Sequence, residues 1–90
     1  MAIIGVLEDG KKLVSVAVTL SNSGTAAADV SSTVTVNELE RITDLIGVVR
    51  KDANNSGVYV SISDPNKLSV TAQSVPAGSS TTVEIVVAGY

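Results

Sequence analysis

Histidine and cysteine are both absent from this chain of 90 residues, and aromatic residues make up only 2% of it. The chain therefore lacks the commonest general base, the best thiolate nucleophile and the usual zinc and copper ligands. It forms no disulfide either, so its own core or partner chains must hold the fold together. We expect a protein that is not an enzyme and that uses no cofactor and no metal.

Positive charge is also scarce, with six lysine and arginine residues against nine acidic residues and a formal net charge of −3. The basic residues form no stripe along which a nucleic-acid backbone would bind. No run of about 18 apolar residues is present that would span a bilayer. The opening residues, Met1 to Asp9, lack the basic region of a secretory signal. We therefore expect no nucleic-acid partner, no membrane partner and a soluble product made in the cytoplasm.

Motifs for small ligands are weak. The seven glycines are spread singly, so no phosphate-binding loop can be assembled. The segment 52–57 reads D-x-N-x-S-G, which overlaps the start of a calcium loop, but Ser63 stands where such a loop ends in a bidentate glutamate. We interpret 52–57 as a plain turn.

Valine, serine and threonine account for 36 of the 90 residues, and the β-branched valine and threonine among them favour sheet over helix. The length is that of one domain, 1–90. A first strand is predicted from Ile3 to Glu8, followed by a type I′ hairpin turn at Asp9-Gly10. The second strand is predicted from Lys12 to Ser21, and its core face consists of Val14, Val16, Val18 and Leu20.

The middle of the chain alternates between loops and further strands. Residues 22–29 are predicted to form a surface loop, and alternation returns over Val30 to Val36. Asn37 resembles a helix N-cap, and Leu39, Ile42 and Ile46 follow at helical spacing, so a short helix is predicted near 38–45. The competing interpretation, a strand through residues 45–49, stays open.

The last third of the chain predicts a hairpin and a final strand. Residues 58–63 and 68–72 form the hairpin around a turn at 64–67, and residues 76–78 form another turn. The strand over 81–88 is apolar enough to be buried on both faces. About seven strands result, which is typical of a Greek-key-like β-sandwich or a small barrel. A core of valine, isoleucine and leucine is thin, so we expect either that the two sheets lie close together or that other copies of the chain bury part of the apolar surface.

Several segments together resemble small virion proteins of tailed bacteriophages, of the head decoration or cement type. They are the opening strand with Asp9-Gly10, Val34 to Val36 with the apolar positions up to Val48, residues 57–60, residues 66–70, and the ending 83–90. The resemblance implies a non-enzymatic structural protein of the virion. Many copies would bind the outside of a capsid shell, with the major capsid protein or another virion protein as partner and a homo-oligomeric or lattice-bound state.

The resemblance also implies surfaces for partner binding. We expect the first four residues, Met1, Ala2, Ile3 and Ile4, to act as a docking arm. We expect the loop from Asn22 to Asp29 to be a contact surface, with Asn22, Ser23, Gly24 and Thr25 as its leading residues. The alternatives are a tail or connector component of a virion, and an immunoglobulin-like adhesion module, although the chain lacks the core tryptophan of the latter.

Overall fold

The protein is all-β over the residues that the computed structural model describes, which are 2–50, 57–63 and 65–90. Seven strands follow one another there and no helix is present. They are β1 (Ala2–Val6), β2 (Lys12–Ser21), β3 (Ala28–Thr35), β4 (Ile42–Arg50), β5 (Gly57–Ser63), β6 (Lys67–Val75) and β7 (Ser80–Gly89). The predicted all-β class and the predicted number of strands are both confirmed.

The strands form two antiparallel sheets that pack as a β-sandwich. Sheet A has the order β1-β2-β7-β4, and sheet B has the order β3-β6-β5. Close approaches between the sheets join β2 with β3, β6 with β7, and β4 with β5. Sheet A has four strands and sheet B has three. The edge strand β1 is the strand of sheet A that has no counterpart in sheet B.

The core lies between the sheets and consists of small aliphatic side chains. Strand β2 presents the four residues of the predicted core face, Val14, Val16, Val18 and Leu20, all of them buried. Strands β6 and β7 contribute further fully buried residues to the core, namely Leu68, Val70, Ala72, Val75, Val83, Ile85 and Val87. The alternation in the sequence thus predicted the core correctly, because side chains of a strand point to opposite faces in turn.

Strand β7 lies in the middle of sheet A, between β2 and β4. The prediction that both of its faces are buried holds only toward its end, where Val87, Ala88 and Gly89 are all buried. Earlier in the strand, Thr82 and Glu84 are half-buried on the outer face of sheet A. A central strand has neighbours on both sides, but sheet B covers only one of its faces.

The turn between β1 and β2 differs from the predicted type I′ turn. The amide of Gly10 donates to the carbonyl of Leu7 at 3.0 Å, and the amide of Leu7 donates to the carbonyl of Lys11 at 2.7 Å. Gly10 has a φ of +89°, but Asp9 does not have a positive φ. A type I′ turn requires a positive φ at both of its central residues. This is the three-residue hairpin in which a left-handed glycine follows a type I turn. In the same turn, the amide of Lys11 donates a hydrogen bond to Oδ1 of Asp9 at 3.1 Å.

The predicted helix near 38–45 is wrong, and the competing strand is correct. A single turn joins β3 to β4, in which the amide of Leu39 donates to the carbonyl of Val36 at 3.1 Å. The amides of Glu40 and Arg41 then donate to the carbonyl of Tyr90 instead of entering a helix. Leu39 and Ile42 are buried in the core. Their helical spacing arises because the turn points both side chains to the same end of the sandwich.

Candidate functional site

The predicted docking arm is an edge strand. Met1 lies outside the described residues, and Ala2, Ile3 and Ile4 belong to β1, which pairs with β2 and with no other described strand. The side chains of Ile3 and Ile4 are 50% and 56% exposed, and that of Val6 is 69% exposed. A row of apolar side chains thus lies along a strand with one unpaired edge.

The opposite edge of sheet A, which sequence reasoning did not select as a site, has the same character. Strand β4 has β7 as its neighbour, and no other described strand pairs with it. Its side chains Leu45, Ile46, Val48 and Val49 are all exposed by more than a third. The signal was present in the sequence, because apolar residues occupy both phases of the alternation here. That pattern fits either a strand buried on both faces or an apolar edge strand.

Each apolar edge strand contains a local irregularity in its register. In β1 the pairing with β2 shifts between Ile3 and Gly5, and in β4 the pairing with β7 shifts between Leu45 and Gly47. Ile4 and Ile46 are the extra residues at these β-bulges. A bulge twists and bends an edge strand, and edges of natural sheets often carry one.

Asn22, the first residue of the predicted contact loop, has a structural role. It is buried, with 8% exposure, whereas residues 23–29 are exposed. Its side-chain amide donates to the carbonyl of Val75 at 2.8 Å and to the carbonyl of Ala26 at 2.9 Å. Its Oδ1 accepts from the amide of Gly24 at 2.8 Å. The side chain thus fixes the β2–β3 loop to the end of β6.

The backbone of Asn22 strengthens the same connection. Its amide donates to the carbonyl of Ser79 at 2.9 Å, and its carbonyl accepts from the amide of Gly78 at 2.8 Å. Gly78 has a φ of +72°, which an L side chain rarely adopts. The β2–β3 loop and the β6–β7 turn are therefore one rigid end of the sandwich.

Ser23, Gly24 and Thr25 are exposed on that end, as a contact surface requires. A shallow depression of about 330 Å³ lies beside them, lined by Ser21, Asn22, Ser23, Gly78, Ser79 and Ser80. Its side chains are small and uncharged. It therefore offers hydrogen bonds but no charged group.

A charged contact lies at the other end of sheet A. The Nζ atom of Lys11 lies 3.1 Å from Oδ2 of Asp44 and 3.6 Å from Oδ2 of Asp9. The hydroxyl of Thr43 donates to Asp44 at 2.8 Å, and this hydrogen bond, together with that from Lys11, lowers the pKa of Asp44. The hydrogen bond to Asp44 also raises the pKa of Lys11. Both side chains stay accessible to water, so this is a surface contact between β4 and the start of β2.

The outer faces of both sheets are polar, in contrast to the edges of sheet A. Hydroxyl groups pair across strands, with Thr19 and Thr82 at 3.3 Å on sheet A and Ser31 and Thr71 at 2.8 Å on sheet B. Tyr59, 63% exposed, is a large apolar side chain on the outer face of sheet B. The larger groups of exposed apolar side chains are therefore on β1 and β4.

The segment 52–57, which overlaps a calcium loop, lies outside the described residues except for Gly57. Among the residues that are described, no three acidic side chains come together as a metal site would require. The same part of the chain contains no helix with the length and apolarity needed to cross a bilayer. No family model, no curated protein and no solved structure matches this chain.

Proposed function

We propose that this chain is a non-enzymatic structural protein that decorates or cements the outside of a bacteriophage capsid. It binds there through β-surface contacts and through its first strand. The observation that carries the proposal is the pair of exposed apolar edge strands, β1 and β4, on the two sides of one sheet. A soluble monomer rarely leaves such strands uncovered, because an unpaired edge recruits other chains.

The chemistry of these edges suits attachment to a lattice. An edge strand adds to the sheet of a partner through main-chain hydrogen bonds, and its exposed side chains then fill shallow apolar sites. Each contact is small, but a shell presents many identical sites, and simultaneous contacts multiply the strength of binding. A small, rigid β-sandwich is suited to this use because it loses little conformational entropy on binding.

The rigid end around Asn22 supplies a second contact. Ser23, Gly24 and Thr25 project from a loop whose conformation the side chain of Asn22 holds fixed. Small polar groups in a preformed loop bind a neighbouring subunit through hydrogen bonds without a large ordering penalty. The proposed partner is the major capsid protein or another virion protein.

The strand order favours this proposal over an immunoglobulin-like adhesion module. Constant-type immunoglobulin sheets place the fifth strand between the second and the fourth, and the seventh beside the sixth. In this chain the seventh strand lies between β2 and β4, and the fifth lies beside β6. The positions of the fifth and seventh strands are therefore exchanged relative to that fold.

Copy number in purified virus particles tests the proposal. Quantitative mass spectrometry of particles from the source of this sequence should find this polypeptide in numbers comparable to the main shell protein. A few copies per particle would instead indicate a tail or connector component. Absence from particles would overturn the virion assignment and return the adhesion module to consideration.

A further inference from the structure

The two edges of sheet A match each other. Neighbouring strands of this sheet are antiparallel throughout. Because the sheet has four strands, its edge strands β1 and β4 run in opposite directions. A second copy displaced sideways along the sheet therefore brings its β1 antiparallel against β4 of the first copy.

The positions of the side chains match as well. In β1, Ile3 and Val6 lie on the core side of the sheet, because they pair with Val14 and Lys12 of β2. In β4, Leu45 and Val48 lie on the core side, because they pair with Val87 and Ile85 of β7. In a regular strand, residues three apart point to opposite faces, so this spacing exists only because of the two bulges.

One antiparallel register satisfies both strands. If Ile3 of one copy faces Val48 of the other, Val6 faces Leu45, and all four core-side residues meet on the same side. Ile4 then faces Gly47, and Ile46 faces Gly5. Each extra isoleucine of a bulge thus lies beside a glycine of the partner strand. A Cβ added at Gly47 would meet no atom within 4 Å, so there is room beside Gly47 for the side chain of Ile4.

Charge agrees with the same register. Glu8 and Asp9 follow β1, and Arg41 precedes β4. The antiparallel arrangement places this acidic turn of one copy next to the exposed Arg41 of the other. Charge pairs at the rim of an interface contribute little affinity but do fix its orientation.

We propose that β1 of one copy pairs antiparallel with β4 of the next, so that copies join edge to edge into a continuous sheet. The interface is heterologous, since two different strands meet, and it generates rings or open chains. Four strands with a twist of about 20–25° each rotate successive copies by roughly 90°. This inference deepens the proposed function, because copies joined through β1 and β4 would bind a shell with many contacts at once, but it can be tested on the purified protein without a virus.

Two blocking variants test the pairing. Val6→Lys places a charge on β1, where the native side chain is 69% exposed, and Ile46→Lys places one on β4, where it is 56% exposed. An inward or central lysine blocks edge pairing in natural sheets. Tyr59→Lys, at a residue that is 63% exposed on β5, is the matched control. All three should keep the far-ultraviolet circular dichroism spectrum of the wild type.

The expected result comes from sedimentation velocity up to millimolar protein. The wild type and Tyr59→Lys should form species of increasing size, whereas Val6→Lys and Ile46→Lys should each stay monomeric. A mixture of the two blocked variants should form a dimer and nothing larger, because one intact β4 and one intact β1 remain to pair.

Other outcomes overturn the proposal. A monomeric wild type at all concentrations would exclude the pairing. A dimer of Val6→Lys alone would show that β4 pairs with itself. If Val6→Lys or Ile46→Lys misfolds, Ile4→Lys and Val49→Lys form a second pair of blocking variants. The native residues are 56% and 59% exposed, and each of these variants should also stay monomeric. High copy number in particles with a monomeric protein in solution would overturn this inference but leave the proposed function intact.

Discussion

The side-chain amide nitrogen of Asn22 and the carbonyl oxygen of Val75 lie 2.8 Å apart in a buried hydrogen bond that spans 53 residues of sequence. The bond joins the β2–β3 loop to the end of β6, and Asn22 also holds Ala26 and Gly24 in place. A residue expected to contact a partner thus organises the loop that presents its neighbours.

Asn22→Ala should destabilise the protein by about 2 kcal/mol, because it leaves the buried carbonyl of Val75 without this donor. Equilibrium urea unfolding measures the loss. Ser23→Ala, at the exposed neighbouring position, should change stability by less than about 0.5 kcal/mol. Equal stability of the two variants would contradict the structural role of Asn22.

Gly89→Ala should be strongly destabilising, since an added Cβ would lie 2.0 Å from the carbonyl oxygen of Arg41. The backbone of residues 41–42 would have to move away from β7, at a cost of roughly 2 kcal/mol or more. Gly47→Ala is the matched control, because open space surrounds that position and its φ is not in the left-handed region. Thermal unfolding should show a large drop in Tm for the first variant, and a result in the reverse order would contradict the contact with Arg41.

Val16→Asp should abolish soluble expression, because Val16 is fully buried in the centre of the core and an unpaired buried charge is severely destabilising. Thr19→Asp, on the exposed outer face of sheet A and opposite the uncharged Thr82, should express and fold normally. The comparison of soluble yields checks the assignment of the two faces of β2. Normal folding of Val16→Asp would show that the faces are reversed.

The contact between Asp44 and its two donors should make stability depend on pH. The pKa of Asp44 in the folded state is lowered from 3.8 by the hydrogen bonds from Thr43 and Lys11. The stabilisation that ionised Asp44 provides is therefore present above the pKa of Asp44 in the unfolded chain. It disappears as pH falls through the lower pKa of Asp44 in the folded state. Lys11 shows the opposite dependence, since its pKa is raised from 10.5, so its contribution is lost as pH rises through the folded value.

Carbon-detected NMR titration of the Asp44 carboxyl group measures this pKa directly. The midpoint should lie below that of an unperturbed aspartate, and it should rise in Thr43→Ala and in Lys11→Met. High salt should reduce the share of the pKa lowering that is due to Lys11, because exposed charges are screened. A midpoint that does not move in either variant would contradict these contacts.

Removal of residues 1–4 should leave the sandwich folded but weaken its association with particles. Residues 2–4 belong to the edge strand β1, in which Ile3 and Ile4 are half exposed, so little core is lost. Co-sedimentation with particles that lack this protein measures binding, and circular dichroism checks the fold. Substitution of Ser23 and Thr25 by alanine tests the second contact in the same assay. Unchanged binding after the deletion would refute the docking role of the first strand.

The sequence by itself determined the strands whose residues alternate between apolar and polar, and the core face of β2. Strand β2 begins and ends at the predicted residues, Lys12–Ser21, and its four core residues are those of the alternating pattern. The hairpin of β5 and β6 was predicted in the same way. Alternation is a local property, because each residue along a strand reverses the direction of its side chain.

The tertiary structure decided what local patterns do not encode. The segment after Val36 has helical spacing, but the carbonyl of Tyr90 takes the amides that a helix would use. Asn22 looks like a loop residue until β6 brings the carbonyl of Val75 beside it. Strands β1 and β4 become apolar edges only because the order of sheet A places both at its borders. Each of these outcomes depends on groups that are distant in sequence, and only the packed sheets bring them within a few ångströms of one another.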